Sequence, residues 1–140
     1  MPILTLTATT REQLIHWLHS DTTLVACLCA AWCDVCRDYR ANFDQLAAQY
    51  SGCNFVWIDI EDHADLVGDI DVDNFPTLLI QRGPHVTFFG SVQPNVPLAA
   101  RLIQAQLDKS TAELVAELSA SAEKQRWQIE LHLAHRLATD

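Results

Sequence analysis

An uninterrupted apolar run, Thr23-Leu24-Val25-Ala26-Cys27-Leu28-Cys29-Ala30, leads straight into Trp32-Cys33-Asp34-Val35-Cys36, and the residues that follow have helical spacing. A segment of strand length with no polar alternation has no solvent face, so it must lie inside a sheet covered on both sides. The step from that strand into a helix places Cys33 at a helix N-terminus. Unpaired backbone N–H groups and a partial positive charge there favour thiolate over thiol. Cys36 lies within reach of the same sulfur, so a mixed disulfide formed at Cys33 can be released by Cys36. A Cys-x-x-Cys pair alone is also half of a zinc site. Between a buried strand and a helix, it reads as a dithiol redox site.

The remaining elements follow from periodicity and punctuation. Ile3–Leu6 is a short strand, and Thr9-Thr10-Arg11-Glu12 matches a capping box ahead of a helix bearing Leu14, Ile15, Trp17 and Leu18. The helix from Cys33 to about Tyr50 carries Tyr39, Phe43, Leu46, Ala47 and Tyr50 on one face, and Ser51-Gly52 ends it. Phe55–Ile60 is a second buried strand, followed by a short helix through Ala64–Asp69. Thr77–Gln81 and His85–Phe89 flank Arg82-Gly83-Pro84 as an antiparallel hairpin. Pro94 to about Asp108 is a further helix with Leu98, Leu102, Ile103 and Leu107. The order βαβαβαββα implies parallel strands with crossover helices, then an antiparallel hairpin, in an α/β mixed sheet sandwiched by helices.

Composition narrows the function classes. The chain of 140 residues is long enough to bury a core without staples, and its apolar content excludes disorder. The start, Met1-Pro2-Ile3-Leu4-Thr5-Leu6-Thr7, lacks the pattern of a signal peptide, and no apolar run approaches the roughly 20 residues needed to cross a bilayer. A cytoplasmic location is expected, where the five cysteines (27, 29, 33, 36 and 53) stay mostly reduced. The net charge is −9, and residues 1–108 carry 5 basic against 13 acidic side chains, which argues against nucleic acid as partner. Seven carboxylates (Asp59, Glu61, Asp62, Asp65, Asp69, Asp71 and Asp73) form an acidic stretch read first as a solvated face, with selection of basic partners as the sharper alternative. Their spacing is not that of a calcium loop.

On Ala31-Trp32-Cys33-Asp34-Val35-Cys36, on Asn74-Phe75-Pro76-Thr77 before a strand, and on Gly83 and Gly90 around the hairpin, the chain resembles the thioredoxin family over roughly residues 1–108. The resemblance implies a thioredoxin fold and a thiol–disulfide oxidoreductase of a cytosolic, bacterial type, with Cys33 and Cys36 as catalytic pair. It also implies a substrate-contacting surface of Trp32, Asp34, Val35, Phe75 and Pro76, the last a cis proline facing the dithiol. The implied partners are protein disulfide substrates and an external thiol reductant or reductase, with no cofactor, metal, nucleic acid or membrane. The rival reading is a thioredoxin-fold chaperone or assembly module with weak or no redox activity.

Four departures qualify the resemblance. The usual Gly-Pro between the cysteines is Asp34-Val35, so a carboxylate that disfavours the thiolate sits between Cys33 and an Arg37 that favours it. Cys27 stands where the family buries an aspartate that assists proton transfer at the second cysteine, and Trp57 replaces the accompanying lysine. Ala41 replaces a proline that kinks the active-site helix. Finally, 109–140 extend past the family's core. There Ser110-Thr111-Ala112-Glu113 forms another capping box, and Leu114, Leu118, Ile129, Leu133 and Leu137, with Val115, Trp127 and Leu131 beside them, give an apolar stripe. A single helix over 110–137 is expected. It either packs on its own domain or joins a second copy, and its length of about 42 Å favours a homodimer.

The other cysteines and histidines carry weaker expectations. Cys27 and Cys29 read as buried small hydrophobes whose side chains point to opposite faces and so share no metal. Cys53, after a glycine turn, reads as exposed. The pairs His16/His19 and His132/His135 have helical spacing but lack two further zinc ligands, so they read as solvated.

Overall fold

The computed structural model describes residues 4–7, 9–19, 22–30, 33–63, 76–92, 95–131 and 133. Trp32, Phe75, the expected helix over 64–69 and Leu137 lie outside the described residues. Strands β1 (Leu4–Thr5), β2 (Thr23–Cys29), β3 (Cys53–Asp59), β4 (Thr77–Arg82) and β5 (His85–Ser91) form one sheet in the order β1-β3-β2-β4-β5. The β1–β3 and β3–β2 pairs are parallel, while β2–β4 and β4–β5 are antiparallel. The helices among the described residues are α1 (Arg11–Leu18), α2 (Asp34–Gln49), α3 (Val96–Leu107), α4 (Thr111–Ala120) and α5 (Ala122–Glu130). The expected mixed sheet flanked by helices is what forms.

All seven residues of β2 are buried, as the apolar run requires. Its alternate side chains feed two separate cores. Leu24, Ala26 and Leu28 join Leu14 of α1, Val56, Ile58, Leu79 and Val86 on one face. Val25, Cys27 and Cys29 join Cys36, Tyr39, Phe43 and Leu46 of α2, and Ala99 and Ile103 of α3, on the other. Between β4 and β5 the chain turns at Gly83-Pro84, with Gly83 at φ 56°. A positive φ followed by the fixed φ of proline suits a tight hairpin turn of the II′ kind.

Two local expectations shift. Thr10, not Thr9, is the N-cap of α1, and its side chain makes no cap hydrogen bond. Its hydroxyl instead donates to the Thr5 carbonyl at 2.8 Å and accepts from Thr7 N–H at 2.8 Å, tying the helix start to β1. On α3 the buried face is Ala99, Ile103 and Gln106, while Leu98 is 44% exposed. Ile103 is buried and Leu102 and Leu107 pack against the same core as expected, with Ala99 in place of Leu98 beside them.

The C-terminal extension is present but is not one helix. Ser121 has extended backbone (φ −124°, ψ 121°) and both ends α4 and caps α5, its hydroxyl accepting from Lys124 N–H at 3.2 Å. Serine competes for such caps better than it sustains a helix interior. The Ser110 capping box forms as expected, with reciprocal 3.1 Å bonds to Glu113. The break folds α5 back along β5, the edge strand. There the Gln128 amide accepts from Val86 N–H at 2.8 Å and donates to Val86 C=O at 2.7 Å, closing part of an otherwise open edge. Beyond α5, Leu131 and Leu133 enter the α1-side core with Trp127 against it, and the buried Gln81 side chain accepts from Leu133 N–H at 3.3 Å. Leu114 and Leu118 are buried as well, so much of the stripe assigned to a homodimer face is covered by this chain, while Ile129 remains 77% exposed.

Truncation after Asp108 should therefore uncover the α1-side core and lower the thermal midpoint sharply or abolish folding. Leu133→Ala should cost about 2–5 kcal/mol in urea unfolding. Sedimentation of the full chain beside a Leu133→Ala form separates self-covering from dimerisation, since only a dimer built on the stripe would dissociate.

Candidate functional site

The end of β2 delivers the dithiol. Cys33 N–H donates to the Ala30 carbonyl at 3.0 Å, holding the turn between strand and helix. Cys33 is the N-cap of α2 with extended backbone (φ −87°, ψ 117°), and its carbonyl accepts from Arg37 N–H at 3.2 Å to start the helix. Cys33 is half-buried, whereas Cys36, one turn inside, is only 1% exposed. All five cysteines are free thiols in the structure. Helix α2 then runs unbroken through Ala41 to Gln49.

Around the dithiol, Asp34 and Arg37 form an exposed ion pair across the first helical turn. The carboxylate and guanidinium expected to act oppositely on Cys33 are thus bound to each other. Val35 is 43% exposed and offers an apolar contact between the two cysteines. Pro76 is buried immediately before β4, its carbonyl accepting from Val92 N–H at 3.0 Å. Leu28 pairs with Thr77 in the antiparallel register, so Pro76 continues that register beside Cys29, at the strand end that carries the cysteine turn. The structure thus brings Cys33, Asp34, Val35 and Cys36 onto one helix start, with Pro76 at the neighbouring strand.

Behind the dithiol the structure departs from expectation. Residues two apart on a strand share a face, and Cys27 and Cys29 do so, with their sulfurs 3.5 Å apart. They are buried as expected but not directed apart. Cys29 packs with Cys36 in the same core and is the strand thiol that bears on the Cys36 proton. Cys27 stands one sulfur further back, and its register partner is Trp57, whose ring lies under the Arg40 guanidinium at 5.2 Å. The two-residue period of the strand is the sequence signal that puts Cys29 beside Cys27. Tyr39, buried against the same thiols, has a hydroxyl with no hydrogen-bond partner among the described residues.

Burial, and next the hydrogen bond with Cys29, push the Cys36 thiol far above its ordinary range. The hydrogen bond with Cys27, and then burial, do the same to Cys29. Burial first, then the two strand cysteines, raise the Tyr39 hydroxyl. Cys53 is also buried, not exposed: it opens β3 opposite Thr23, and burial raises its thiol too. Among the described residues no group of three or more His, Cys, Asp or Glu side chains is arranged to hold a metal ion. No helix among them is long and apolar enough to cross a membrane.

The thioredoxin family model matches residues 3–104. The chain belongs to the thioredoxin family. It is 25% identical to a thioredoxin of Mycoplasma genitalium over 49% of this chain and 68% of that one. It is 29% identical to thioredoxin-2 of Saccharomyces cerevisiae over 45% of this chain and 61% of that one. Each match leaves about a third or more of the relative's length unspanned. Among solved structures, a poplar thioredoxin h superposes with a TM-score of 0.66 at 21% identity, covering 77% of this chain and 98% of that one. A thioredoxin from Trypanosoma brucei brucei gives 0.64 at 18% identity, covering 77% and 93%. These likenesses establish the fold, and the family supports thiol–disulfide oxidoreductase chemistry in general. The family match stops inside α3, so α4 and α5 lie beyond it.

The exposure difference predicts that limiting iodoacetamide at neutral pH labels Cys33 ahead of Cys36. The raised thiols also predict a pH dependence of stability. Above about pH 9 the unfolded chain releases protons that folded Cys29 and Cys36 retain, so the unfolded state binds fewer protons. Stability is then full below that pH and falls as pH rises through it. The urea midpoint should drop on alkalinisation, and Cys29→Ala should make the drop shallower.

Proposed function

We propose that this protein exchanges disulfides with protein substrates through Cys33 and Cys36. The supporting observation is the asymmetry of the pair: Cys33 is half-buried at the start of α2, and Cys36 is sealed one turn behind it. In this reading Cys33 attacks a substrate disulfide, forming a mixed disulfide and expelling one substrate thiolate. Cys36 then attacks Cys33, a Cys33–Cys36 disulfide forms, and the second substrate sulfur leaves. An external thiol or reductase returns the pair to thiols.

The proton on Cys36 decides the pace of the second step. Burial and Cys29 hold that proton in the resting chain, so Cys36 does not compete with Cys33 for incoming disulfides. A substrate seated on Cys33 displaces water from the helix start and leaves Cys36 facing a nearby electrophilic sulfur. Trp32, Asp34, Val35, Phe75 and Pro76 form the proposed contact surface. Exposed Val35 supplies apolar contact, and the Asp34–Arg37 pair supplies a charge rim of both signs. Residues 1–108 are proposed as the catalytic unit and 109–140 as the segment that covers its far face.

Insulin reduction driven by dithiothreitol tests the proposal. The wild-type protein should accelerate insulin precipitation, Cys33→Ser should fall to the rate of dithiothreitol alone, and Cys36→Ser should accumulate a mixed disulfide with the substrate. A Cys33→Ser form as fast as wild type would refute the assignment. A wild-type protein no faster than dithiothreitol would favour the chaperone or assembly reading.

A further inference from the structure

Four thiols lie in sequence from the surface inward: Cys33 at the helix start, Cys36 one turn inside, Cys29 packed in the same core as Cys36, and Cys27 with its sulfur 3.5 Å from that of Cys29. Cys27, Cys29 and Cys36 share one apolar core with Cys33 packed against it, and each of the three is no more than 1% exposed. The two redox cysteines of the proposed reaction are thus the outer half of a chain of sulfurs. A core needing only small apolar residues at 27 and 29 would be filled equally well by alanine or valine. Two thiols in mutual contact, packed in one core with Cys36, are placed to exchange with a disulfide formed there.

We propose that Cys27 and Cys29 form a second, buried dithiol that receives a disulfide from Cys33–Cys36, so that the protein holds two disulfides when fully oxidised. The proposal rests on the Cys33/Cys36 reading of the outer pair. In the first step the Cys29 sulfur attacks Cys36 in the Cys33–Cys36 disulfide. A Cys29–Cys36 bond forms, the Cys33–Cys36 bond breaks, and Cys33 leaves as the thiolate at the start of α2. In the second step Cys27 attacks Cys29. A Cys27–Cys29 bond forms, Cys36 leaves, and the proton released by Cys27 passes to Cys36, while the Cys29 proton ends on Cys33 through solvent. Cys27 and Cys29 are oxidised by two electrons and the outer pair is reduced by two. The oxidant is the substrate disulfide that oxidised the outer pair beforehand.

The geometry permits the inner bond. Strand residues two apart have Cα atoms roughly 6.6–6.8 Å apart, at the upper end of the range that disulfides span. The sulfurs must close from 3.5 Å to about 2.05 Å, a movement that side-chain rotation largely supplies. The relay is slow compared with exchange at Cys33, because the buried Cys29 thiol keeps its proton and only thiolates attack. The inner pair therefore fills under sustained oxidation, and the outer dithiol is regenerated without a reductase. Such a protein takes four electrons' worth of substrate disulfide instead of two.

Graded oxidation of the reduced full-length protein with diamide tests this. After acid quenching, free thiols are blocked under denaturing conditions, and chymotryptic cleavage after Trp32 separates the Cys27/Cys29 fragment from the Cys33/Cys36 fragment for mass spectrometry. The expected result is a two-thiol loss confined to the outer fragment at low oxidant, then a four-thiol loss with an internal disulfide in the inner fragment. A Cys33→Ser/Cys36→Ser form should keep its inner pair reduced at least tenfold longer. An inner fragment that stays fully thiol while the outer one is completely oxidised would overturn the proposal. Equal inner oxidation in the double-serine form would overturn the relay. Failure of the outer pair itself is read separately, from its own fragment and from insulin reduction.

Discussion

The double burial of β2 is the constraint on which the molecule depends. With β3 on one side and β4 on the other, the strand has both edges paired and both faces covered. Its odd-numbered side chains must then pack under α2 and α3, and its even-numbered ones under α1 and the C-terminal segment. Because the strand cannot slip without moving both cores across the sheet, its end is a fixed platform. The turn held by Cys33 N–H on the Ala30 carbonyl starts α2 from that platform, and the position of the dithiol follows.

The same burial shapes the chemistry behind the site. In a family member with a buried aspartate and lysine at the positions of Cys27 and Trp57, two ionisable groups would need each other's company in a low-dielectric core. Here sulfur and indole fill those positions, and the indole pairs with an outside cation, Arg40, across its face. The cost of a buried charge is absent. In exchange, the core beneath Cys36 holds thiols and the Tyr39 hydroxyl. Burial at Cys36, and the Cys27 hydrogen bond with burial at Cys29, keep both thiols protonated. In the proposed reaction this withholds Cys36 until a disulfide sulfur is adjacent, with no ionised neighbour tuning it beforehand.

The extension solves a separate problem. Its polar contacts are few but placed where apolar packing alone would leave backbone groups unsatisfied. Arg82 donates to the Gln106 carbonyl at 3.0 Å and to the Lys109 carbonyl, finishing α3 at the junction. Lys109 and Lys124 both reach Glu117, whose carboxyl they hold below its usual range, so the two ends of the α4 region are joined at the surface. These partly exposed ion pairs contribute little individually. The stability of the segment rests on Leu114, Leu118, Leu131 and Leu133, and the polar pairs set its path over β5.

Much of this was legible in the sequence. The apolar run of β2, the helical face of α2, the Gly83-Pro84 turn and the Ser110 capping box are local signals, and each formed where its residues placed it. The helix-start dithiol was legible for the same reason, since a strand-to-helix junction is written in consecutive residues. Tertiary structure decided the rest. Whether the stripe after Ser110 would cover its own sheet or another copy depended on the break at Ser121 and on Gln128 meeting the edge of β5, two events far apart in sequence. The exposure of Cys53 was settled by its pairing opposite Thr23, not by the glycine before it. Cys29 became the neighbour of Cys36 only when α2 settled on β2, because a sequence determines which residues share a face, but only packing determines which two faces meet.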